Sequence, residues 1–445
     1  MTQAMSKNTS LLIEPIDTEG EERSLSSKLI RNGDSIDINP LDATFRDSGR
    51  APLHSWFPYL EGYAPRFVEG VRNEFLPDAR KIIDPFAGSG TTPIVLGQNG
   101  VECAYSEANP AMAFIIKSKL KILSLKINQR KRLSDKIFTL ADRIGSQVES
   151  SPPDTELLDS YTSTFGKSSF FEESTLNNIL RLRTFNDSCV IEDETLGMCL
   201  TLAIMASLIP SSRLKRAGDL RFRTPKELLK GIPCVLDSVK ERLIAQASDV
   251  NTAVELQAET SFACATAGDL YNSIGGGWDG VITSPPYLNG TNYIRNARLE
   301  LWYCRLVKSQ SDIRKLRDGV ITSGINDVNV HTDWRPVTDG VKRVVVELEE
   351  KAYDQRISKM VGGYFRDMRA VLTNLANCLN SRGRLCIDIG DSIYAGVHVP
   401  TDDLLVEVAE SLGLKTLERV HLRKRTSNGG QPVRQQLLIF EKRET

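Results

Sequence analysis

The segment Asp84-Pro-Phe-Ala-Gly-Ser-Gly-Thr-Thr92 follows the short apolar run Lys81-Ile-Ile and has the pattern of a strand that opens into a glycine turn and a helix. Gly88 and Gly90 permit positive φ and let a ligand approach the backbone closely. A Walker-type phosphate loop would end in Gly-Lys-Ser/Thr, and this turn contains no lysine. The pattern therefore favours an α/β fold with a nucleoside, not a phosphate, at the turn.

An acidic residue follows at the distance that such a nucleoside site requires. Residues 101–107 read as the next strand, and Glu107 ends it about 20 residues beyond the turn, where dinucleotide-binding folds place the acid that contacts ribose hydroxyls. Asn109 and Pro110 then begin a helix. A lone glycine turn is more often structural than ligand-binding, so the prediction depends on the turn, the acid and a second motif together.

The second motif is Thr283-Ser-Pro-Pro-Tyr287, at the end of the strand-like run 278–283. An aryl amine is a poor nucleophile because its lone pair is delocalised into the ring. The Ser284 side chain and the Pro285 carbonyl can both accept hydrogen bonds from such an amine. Tyr287 offers a face on which an extruded base can stack. An ordinary Ser-Pro-Pro turn is the alternative, and it becomes the weaker interpretation once the glycine turn is considered.

Together the two motifs resemble those of S-adenosylmethionine-dependent DNA methyltransferases that modify exocyclic amino groups, in their alpha-like motif order. The resemblance implies a Rossmann-like fold with a mainly parallel seven-stranded sheet, a C-terminal antiparallel hairpin and a helical insertion. It assigns catalysis to Ser284, Pro285, Pro286 and Tyr287. It assigns S-adenosylmethionine binding to Tyr63, Asp84, Phe86, Ala87, Gly88, Gly90, Thr91, Glu107, Asn109 and Asp269. The serine form is used mostly by cytosine-N4 enzymes, with adenine-N6 as the alternative.

Four segments are expected along the chain. Residues 1–45 are polar with little periodic apolar content and read as a mobile tail. Residues 46–125 would form the cofactor-binding part and residues 259–445 the catalytic part of the methyltransferase domain. Residues 126–258, mainly helical by pattern, would be an insertion that recognises the target.

Basic residues cluster in the predicted insertion. Residues 211–230 carry seven basic and two acidic side chains, a local net charge of plus five. The candidate contacts to DNA phosphates are Arg213, Lys215, Arg216, Arg221 and Arg223. A solvated helical face is an equally good interpretation. The basic loop from Arg423 to Arg434 is a second candidate.

The composition limits the alternatives. The chain has 445 residues, with 56 basic and 57 acidic side chains, so DNA binding must be local. Eight scattered cysteines and four histidines argue against a zinc site and for a reduced, cytoplasmic protein. No apolar run is long enough to predict a membrane span. Double-stranded DNA is the expected partner, and the resemblance implies a cognate restriction endonuclease or defence-system subunit.

Three rival functions remain. Pro233-Cys234 is the dipeptide of carbon-5 cytosine methyltransferases, but the accompanying Glu-Asn-Val motif does not occur, and the apolar pattern around Cys234 predicts a buried thiol. RNA is not excluded as the substrate, although no RNA-binding module is recognisable. A cofactor-binding subunit without activity is the third alternative, and the intact 284–287 motif argues against it.

Overall fold

The protein is described by a computed structural model that covers residues 29–31, 34–36, 38–217, 219–329, 332–426 and 430–444. The strands of these residues are, in chain order, β1 (Leu29–Arg31), β2 (Asp34–Ile36), β3 (Lys81–Asp84), β4 (Glu102–Ser106), β5 (Leu214–Ala217), β6 (Asp219–Phe222), β7 (Thr260–Cys264), β8 (Trp278–Thr283), β9 (Leu379–Gly390), β10 (Ser392–Tyr394), β11 (Val397–Val399), β12 (Leu414–Thr426) and β13 (Pro432–Lys442).

Seven of these strands form the central sheet, in the order β7-β4-β3-β8-β9-β13-β12. The first five are parallel to one another, whereas β13 runs antiparallel to both β9 and β12. The chain moves outward from β3 through β4 to β7 and then returns to β8 on the other side of β3. Open α/β sheets bind ligands at such a reversal, outside the carboxyl ends of the strands. The predicted fold class is confirmed.

Helices cover both faces of this sheet and form the insertion. They are α1 (Pro65–Phe75), α2 (Thr91–Gln98), α3 (Pro110–Leu123), α4 (Ile127–Ser150), α5 (Thr155–Phe165), α6 (Glu173–Glu192), α7 (Glu194–Leu208), α8 (Pro225–Leu228), α9 (Val235–Thr252), α10 (Leu270–Ile274), α11 (Tyr293–Asn296), α12 (Arg298–Tyr303), α13 (Gln310–Arg317), α14 (Asp339–Lys351), α15 (Arg356–Cys378) and α16 (Thr401–Ser411). In the described residues, no helix is both long and apolar enough to cross a membrane.

Alternating side chains along the central strands contribute to two hydrophobic cores, one on each face of the sheet. Side chains of a strand point to opposite faces in turn. In β3, Ile82 therefore packs in a cluster with Phe67 of α1, and the next residue, Ile83, packs in a separate cluster with Met368 of α15. Because the central strands are covered on both faces, the turns at their carboxyl ends are held rigidly.

A third core joins the insertion to the sheet. It contains Ile94 of α2 and Met112 of α3 together with Ile204 of α7 and Leu243 of α9. The apolar helix α7 is buried along most of its length. The insertion therefore shares one continuous core with the cofactor half of the chain, which fixes its position against the cavity described below.

Several local expectations differ from the structure. Residues 38–45, assigned to the mobile tail, are packed: Ile38 is buried beside Phe67, and the Ala64 N–H donates to the Asp42 carbonyl. Residues 1–28 of that tail lie outside the described residues. After the second motif, the chain forms two short helices, α11 and α12, that are separated at Ala297.

Two differences concern the insertion. Cys234 is exposed, because it precedes α9 as its N-cap and so lies outside the face through which Val235 and Val239 pack. The basic cluster, read as part of a helical segment, contains the antiparallel hairpin of β5 and β6. Each strand has only four residues, and charged and apolar side chains alternate in β6 but not in β5, so the sequence contains no clear strand pattern.

Candidate active site

A cavity of about 420 Å³ lies at the carboxyl ends of β3 and β8 and is lined by both sequence motifs. The residues assigned to cofactor binding that line it are Tyr63, Phe86, Ala87, Gly88, Thr91, Glu107 and Asn109. The residues assigned to catalysis that line it are Ser284, Pro285, Pro286 and Tyr287. Asp84, Gly90 and Asp269 are not part of this wall, although Gly268 is.

The two glycines of the turn have different structural roles. Gly88 has φ +54°, and a Cβ added there would lie 2.7 Å from Cε1 of Tyr59, an aromatic ring that also lines the cavity. Gly90 has φ +92°, and its Cβ would lie 2.9 Å from Cγ1 of Ile116 in α3. Gly88 therefore keeps open the space beside the cavity, whereas Gly90 is required for the packing of the turn on α3.

A buried lysine of α3, Lys119, forms a hydrogen bond to the main chain of the same turn. Nζ of Lys119 donates to the Ser89 carbonyl at 3.0 Å, and the side chain is fully buried. Burial lowers the pKa of Lys119 to about 7. No sequence signal identified this contact, because the lysine lies within the apolar face of a helix.

Asp84 connects the two motifs. Its Oδ1 accepts hydrogen bonds from the Phe86 N–H (3.0 Å) and from the hydroxyl of Thr283 (2.7 Å), the residue before Ser284. The carboxyl is buried, and burial raises its pKa to about 6. Although assigned to cofactor binding, Asp84 positions the end of β8 relative to the glycine turn. Thr283 is thus a positioning residue that sequence reasoning missed.

Glu107 is held by the main chain and faces the cavity. Its Oε2 accepts from the Gly88 N–H and its Oε1 from the Asn109 N–H, both at 2.8 Å. Desolvation of the carboxyl raises its pKa to about 7. Each carboxylate oxygen has a further lone pair, so an ionised Glu107 can still accept hydrogen bonds from ligand hydroxyls.

Two hydrogen bonds hold Tyr287 of the Ser284–Tyr287 motif in place. The Tyr287 N–H donates to Oη of Tyr293 at 3.2 Å, and Oη of Tyr287 accepts from Nε2 of Gln435 at 2.9 Å. Tyr293, Gln435 and Asp388 line the same cavity. Only the tertiary structure brings Gln435 and Asp388 to the motif, since β13 and β9 are distant from residue 287 in the chain.

Polar side chains from three parts of the chain meet at another side of the cavity. Nδ2 of Asn296 donates to Oε1 of Glu61 at 3.3 Å, and Arg216 of the insertion lines the wall beside them. Burial raises the pKa of Glu61. Glu61 was not among the residues that the sequence analysis assigned to the site, because its residue type alone gave no signal.

Most side chains of the basic cluster have partners within the protein. Arg216 pairs with buried Glu300 at 2.8 Å, and Lys215 and Arg221 both pair with Glu227, at 2.7 and 2.8 Å. Arg223 donates to main-chain carbonyls, including that of Pro210 at 2.9 Å. These side chains hold the hairpin together, so the formal charge of the segment overstates what it offers to a phosphate.

Arg213 is placed differently. Its guanidinium donates to the Ser169 hydroxyl at 3.5 Å, its main-chain N–H donates to the Phe170 carbonyl, and the side chain reaches the surface. At the second candidate surface, Arg434 pairs with Asp391 and Asp402, and Nε of Arg423 donates to Oε1 of Gln435 at 2.6 Å. Residues 427–429 of that loop lie outside the described residues.

Comparison with known proteins gives relatives over most of the chain. It is 23% identical to the type II methyltransferase M.BsoBI of Geobacillus stearothermophilus, over 88% of this chain and 86% of that protein. It is similar to type II methyltransferases. The type II methyltransferases M.AvaI of a Nostoc species and of Anabaena variabilis are also 23% identical, over 83% of this chain and 80% of theirs. No protein-family model matches the chain.

Among solved structures, the rRNA methyltransferase aviRa of Streptomyces viridochromogenes aligns with 92% of this chain and 96% of its own, at 11% identity and a TM-score of 0.30. That TM-score is too low to support a conclusion. The methyltransferase relatives and the sheet order together imply S-adenosylmethionine as the methyl donor. The relatives and the sheet order thus support the assignment of an S-adenosylmethionine-dependent methyltransferase activity.

Proposed function

We propose that the protein is a site-specific DNA methyltransferase that acts on the exocyclic amino group of a base extruded from the duplex, with N4 of cytosine as the target. The observation that carries this proposal is the shared cavity, in which the glycine turn with Glu107 and the motif Ser284–Tyr287 face one space. A donor site and an acceptor site for a group transfer must adjoin in this way.

The residues of the turn fit the proposed cofactor. Gly88 leaves room beside the aromatic ring of Tyr59, and Glu107 retains lone pairs for a ribose diol. Phe86 and Tyr63 add aromatic surface, and Asn109 caps α3 at the cavity wall. S-adenosylmethionine supplies an electrophilic methyl group on a sulfonium.

The residues of the second motif fit an aryl amine. Oγ of Ser284 and the Pro285 carbonyl would accept hydrogen bonds from the two N–H groups of the amine. These bonds would bend the nitrogen toward tetrahedral geometry and free its lone pair for attack. Tyr287 would stack on the extruded base. Catalysis would depend on positioning and on these two acceptors, which β8 presents from a rigid strand end.

We assign target recognition to the insertion, residues 126–258. Its hairpin contacts the segment after the catalytic motif directly: the Leu220 N–H donates to Oδ1 of Asn296 at 3.0 Å, and Oδ1 of Asp219 accepts from the Asn292 N–H at 3.2 Å. Of the five basic candidates, Arg213 has the fewest internal partners and is the residue best placed to contact a phosphate. A cognate restriction endonuclease is the partner that we propose for this activity.

Nucleoside analysis tests the proposal. DNA from cells that express the chain should contain N4-methylcytosine, detected by mass spectrometry, and DNA from cells that express Ser284→Ala should not. N6-methyladenine in place of N4-methylcytosine would contradict the base assignment alone. Methylated nucleosides in RNA but not in DNA would contradict the polymer assignment. No methylated nucleoside in either would favour a cofactor-binding subunit without activity.

A further inference from the structure

One buried side chain connects the catalytic motif to two charged groups. Gln435 and Asp388 are each 1% exposed, on the adjacent antiparallel strands β13 and β9. Nε2 of Gln435 lies 2.9 Å from Oη of Tyr287 and 2.8 and 3.0 Å from the two carboxylate oxygens of Asp388. Both hydrogens of the amide nitrogen therefore have acceptors.

The strand register explains how Gln435 reaches both partners. Gln435 is opposite Gly390 in the β9–β13 ladder, and Asp388 lies two residues earlier on the same face. Because Gly390 has no side chain, the amide can lie over it and reach the carboxylate diagonally.

The charged partners leave the amide a single orientation. Arg423 is only a donor, and its Nε lies 2.6 Å from Oε1 of Gln435. Asp388, when ionised, is only an acceptor and faces Nε2. A flipped amide would place an amino group against the guanidinium and an oxygen against the carboxylate. Gln435 therefore presents a fixed N–H to the hydroxyl of Tyr287.

We propose that Gln435 is a positioning residue that fixes the ring of Tyr287 through its hydroxyl, so that the ring is held in the plane on which the target base stacks. The inference rests on the proposed function, because it assigns Tyr287 to the base. A tyrosine held only at its backbone retains rotation about its side-chain bonds, and a bond at the far end of the ring removes that freedom. Base stacking then requires no further ordering.

A mutant cycle tests the proposal through the kinetics of methyl transfer. Tyr287→Phe should lower kcat by about three- to tenfold, the effect of one lost hydrogen bond, with KM for DNA and cofactor affinity unchanged. Gln435→Leu should lower kcat by at least as much, because it also removes the bonds of Gln435 to Asp388 and Arg423. The double variant should be no slower than the slower single variant, because both changes remove the same bond. The proposal would be overturned if the decrease of kcat in the double variant equalled the product of the decreases in the two single variants. A wild-type kcat in Tyr287→Phe would also overturn it.

The neighbouring residue provides a matched control. Gln436 is also buried in β13, but its Oε1 accepts from Nε of Arg419 at 3.1 Å and it faces the opposite side of the strand. Gln436→Leu should leave kcat unchanged, and an equal loss in both leucine variants would mean a general effect on the strand. If Gln435→Leu does not fold, Gln435→Met keeps the length of the side chain and also removes the donor.

Crystal structures separate this inference from the function that it assumes. In Gln435→Leu, the Tyr287 ring should rotate or lose order relative to the wild-type ring. An unchanged, equally ordered ring would overturn the inference whether or not the protein methylates DNA. Absence of methyl transfer by the wild-type protein would instead contradict the proposed function.

Discussion

The glycine turn and the basic hairpin border the same cavity, but they satisfy their charged groups in opposite ways. At the turn, a carboxylate, Glu107, is held by the N–H groups of Gly88 and Asn109 and still has lone pairs free to accept at the cavity wall. In the hairpin, the cations of β5 and β6 are held by carboxylates of the protein itself. The turn is therefore prepared for a ligand, whereas most charge of the hairpin stabilises its own fold.

The largest effect is expected where the hairpin is anchored. Arg216→Ala leaves the buried carboxyl of Glu300 without its 2.8 Å partner, so the free energy of unfolding should fall by about 3–5 kcal/mol. Urea denaturation would measure this change. Arg213→Ala is the matched control and should change the stability by less than about 0.5 kcal/mol. Equal stability of the two variants would mean that the pair with Glu300 does not anchor the hairpin.

Ser284→Ala is expected to separate chemistry from cofactor binding. Loss of one acceptor for the amino protons should reduce the rate of methyl transfer at least about a hundredfold, while calorimetric titration shows wild-type affinity for S-adenosylmethionine. Ser273→Ala, at an exposed serine of α10, should retain both properties. A Ser284→Ala protein that transfers at the wild-type rate would remove Ser284 from the reaction.

A smaller effect is expected for the acid at the turn. Glu107→Ala should weaken S-adenosylmethionine binding by about 1–3 kcal/mol, because ribose hydroxyls lose their acceptor. Glu102→Ala, at the start of the strand that leads to Glu107 and paired at the surface with Lys81, should bind the cofactor normally. Normal affinity in a folded Glu107→Ala protein would show that the carboxyl does not contact the ligand.

The raised pKa of the same carboxyl predicts a pH dependence. Ribose hydroxyls bind the ionised form, so cofactor affinity should rise as the pH increases through about 7, the pKa to which burial raises Glu107, and should level off above it. Glu107→Gln should lack this component. Lys119, whose pKa burial lowers to about 7, is present in both proteins, so the difference between their profiles isolates Glu107. Parallel profiles would contradict the assignment.

The smallest effect is expected at the surface of the hairpin. If Arg213 contacts one phosphate, Arg213→Ala should make the slope of log affinity for DNA against log salt concentration shallower by about 0.9. Binding assays from low to moderate salt would measure this slope, with cofactor affinity as the internal control. An unchanged slope would identify the cluster as a solvated face and direct attention to the loop that begins at Arg423.

The sequence predicted those parts of the molecule that local patterns determine. Short apolar runs ended by turn residues located β3, β4 and β8, and the resemblance predicted their place in a mainly parallel sheet. The residues that line the cavity around Gly88 and Ser284 were identified for the same reason, because the turn and the second motif are each a contiguous run of residues. The hairpin of β5 and β6 was missed because both strands are short and β5 does not alternate between apolar and polar residues.

Contacts between distant segments could not be predicted in this way. Asp84 and Thr283 are 199 positions apart, and Arg216 and Glu300 are 84 apart, yet each pair is in direct contact. Such distant partners decide whether an acid lines the cavity or forms hydrogen bonds outside it. They also decide whether an arginine is available to DNA. Gln435 illustrates the same limit, since nothing in its local sequence distinguishes it from Gln436.

Methyl transfer by the purified protein tests the central claim, that the two motifs act on one cavity to methylate a base in DNA. The protein would be incubated with S-adenosylmethionine carrying a labelled methyl group and with duplex DNA that contains many candidate sites, and the digested nucleosides would be separated. The account predicts that the label appears in N4-methylcytosine with the wild-type protein and is absent with Ser284→Ala. Label in N4-methylcytosine with Ser284→Ala at the wild-type rate, or no labelled nucleoside with a wild-type protein that binds the cofactor, would contradict it.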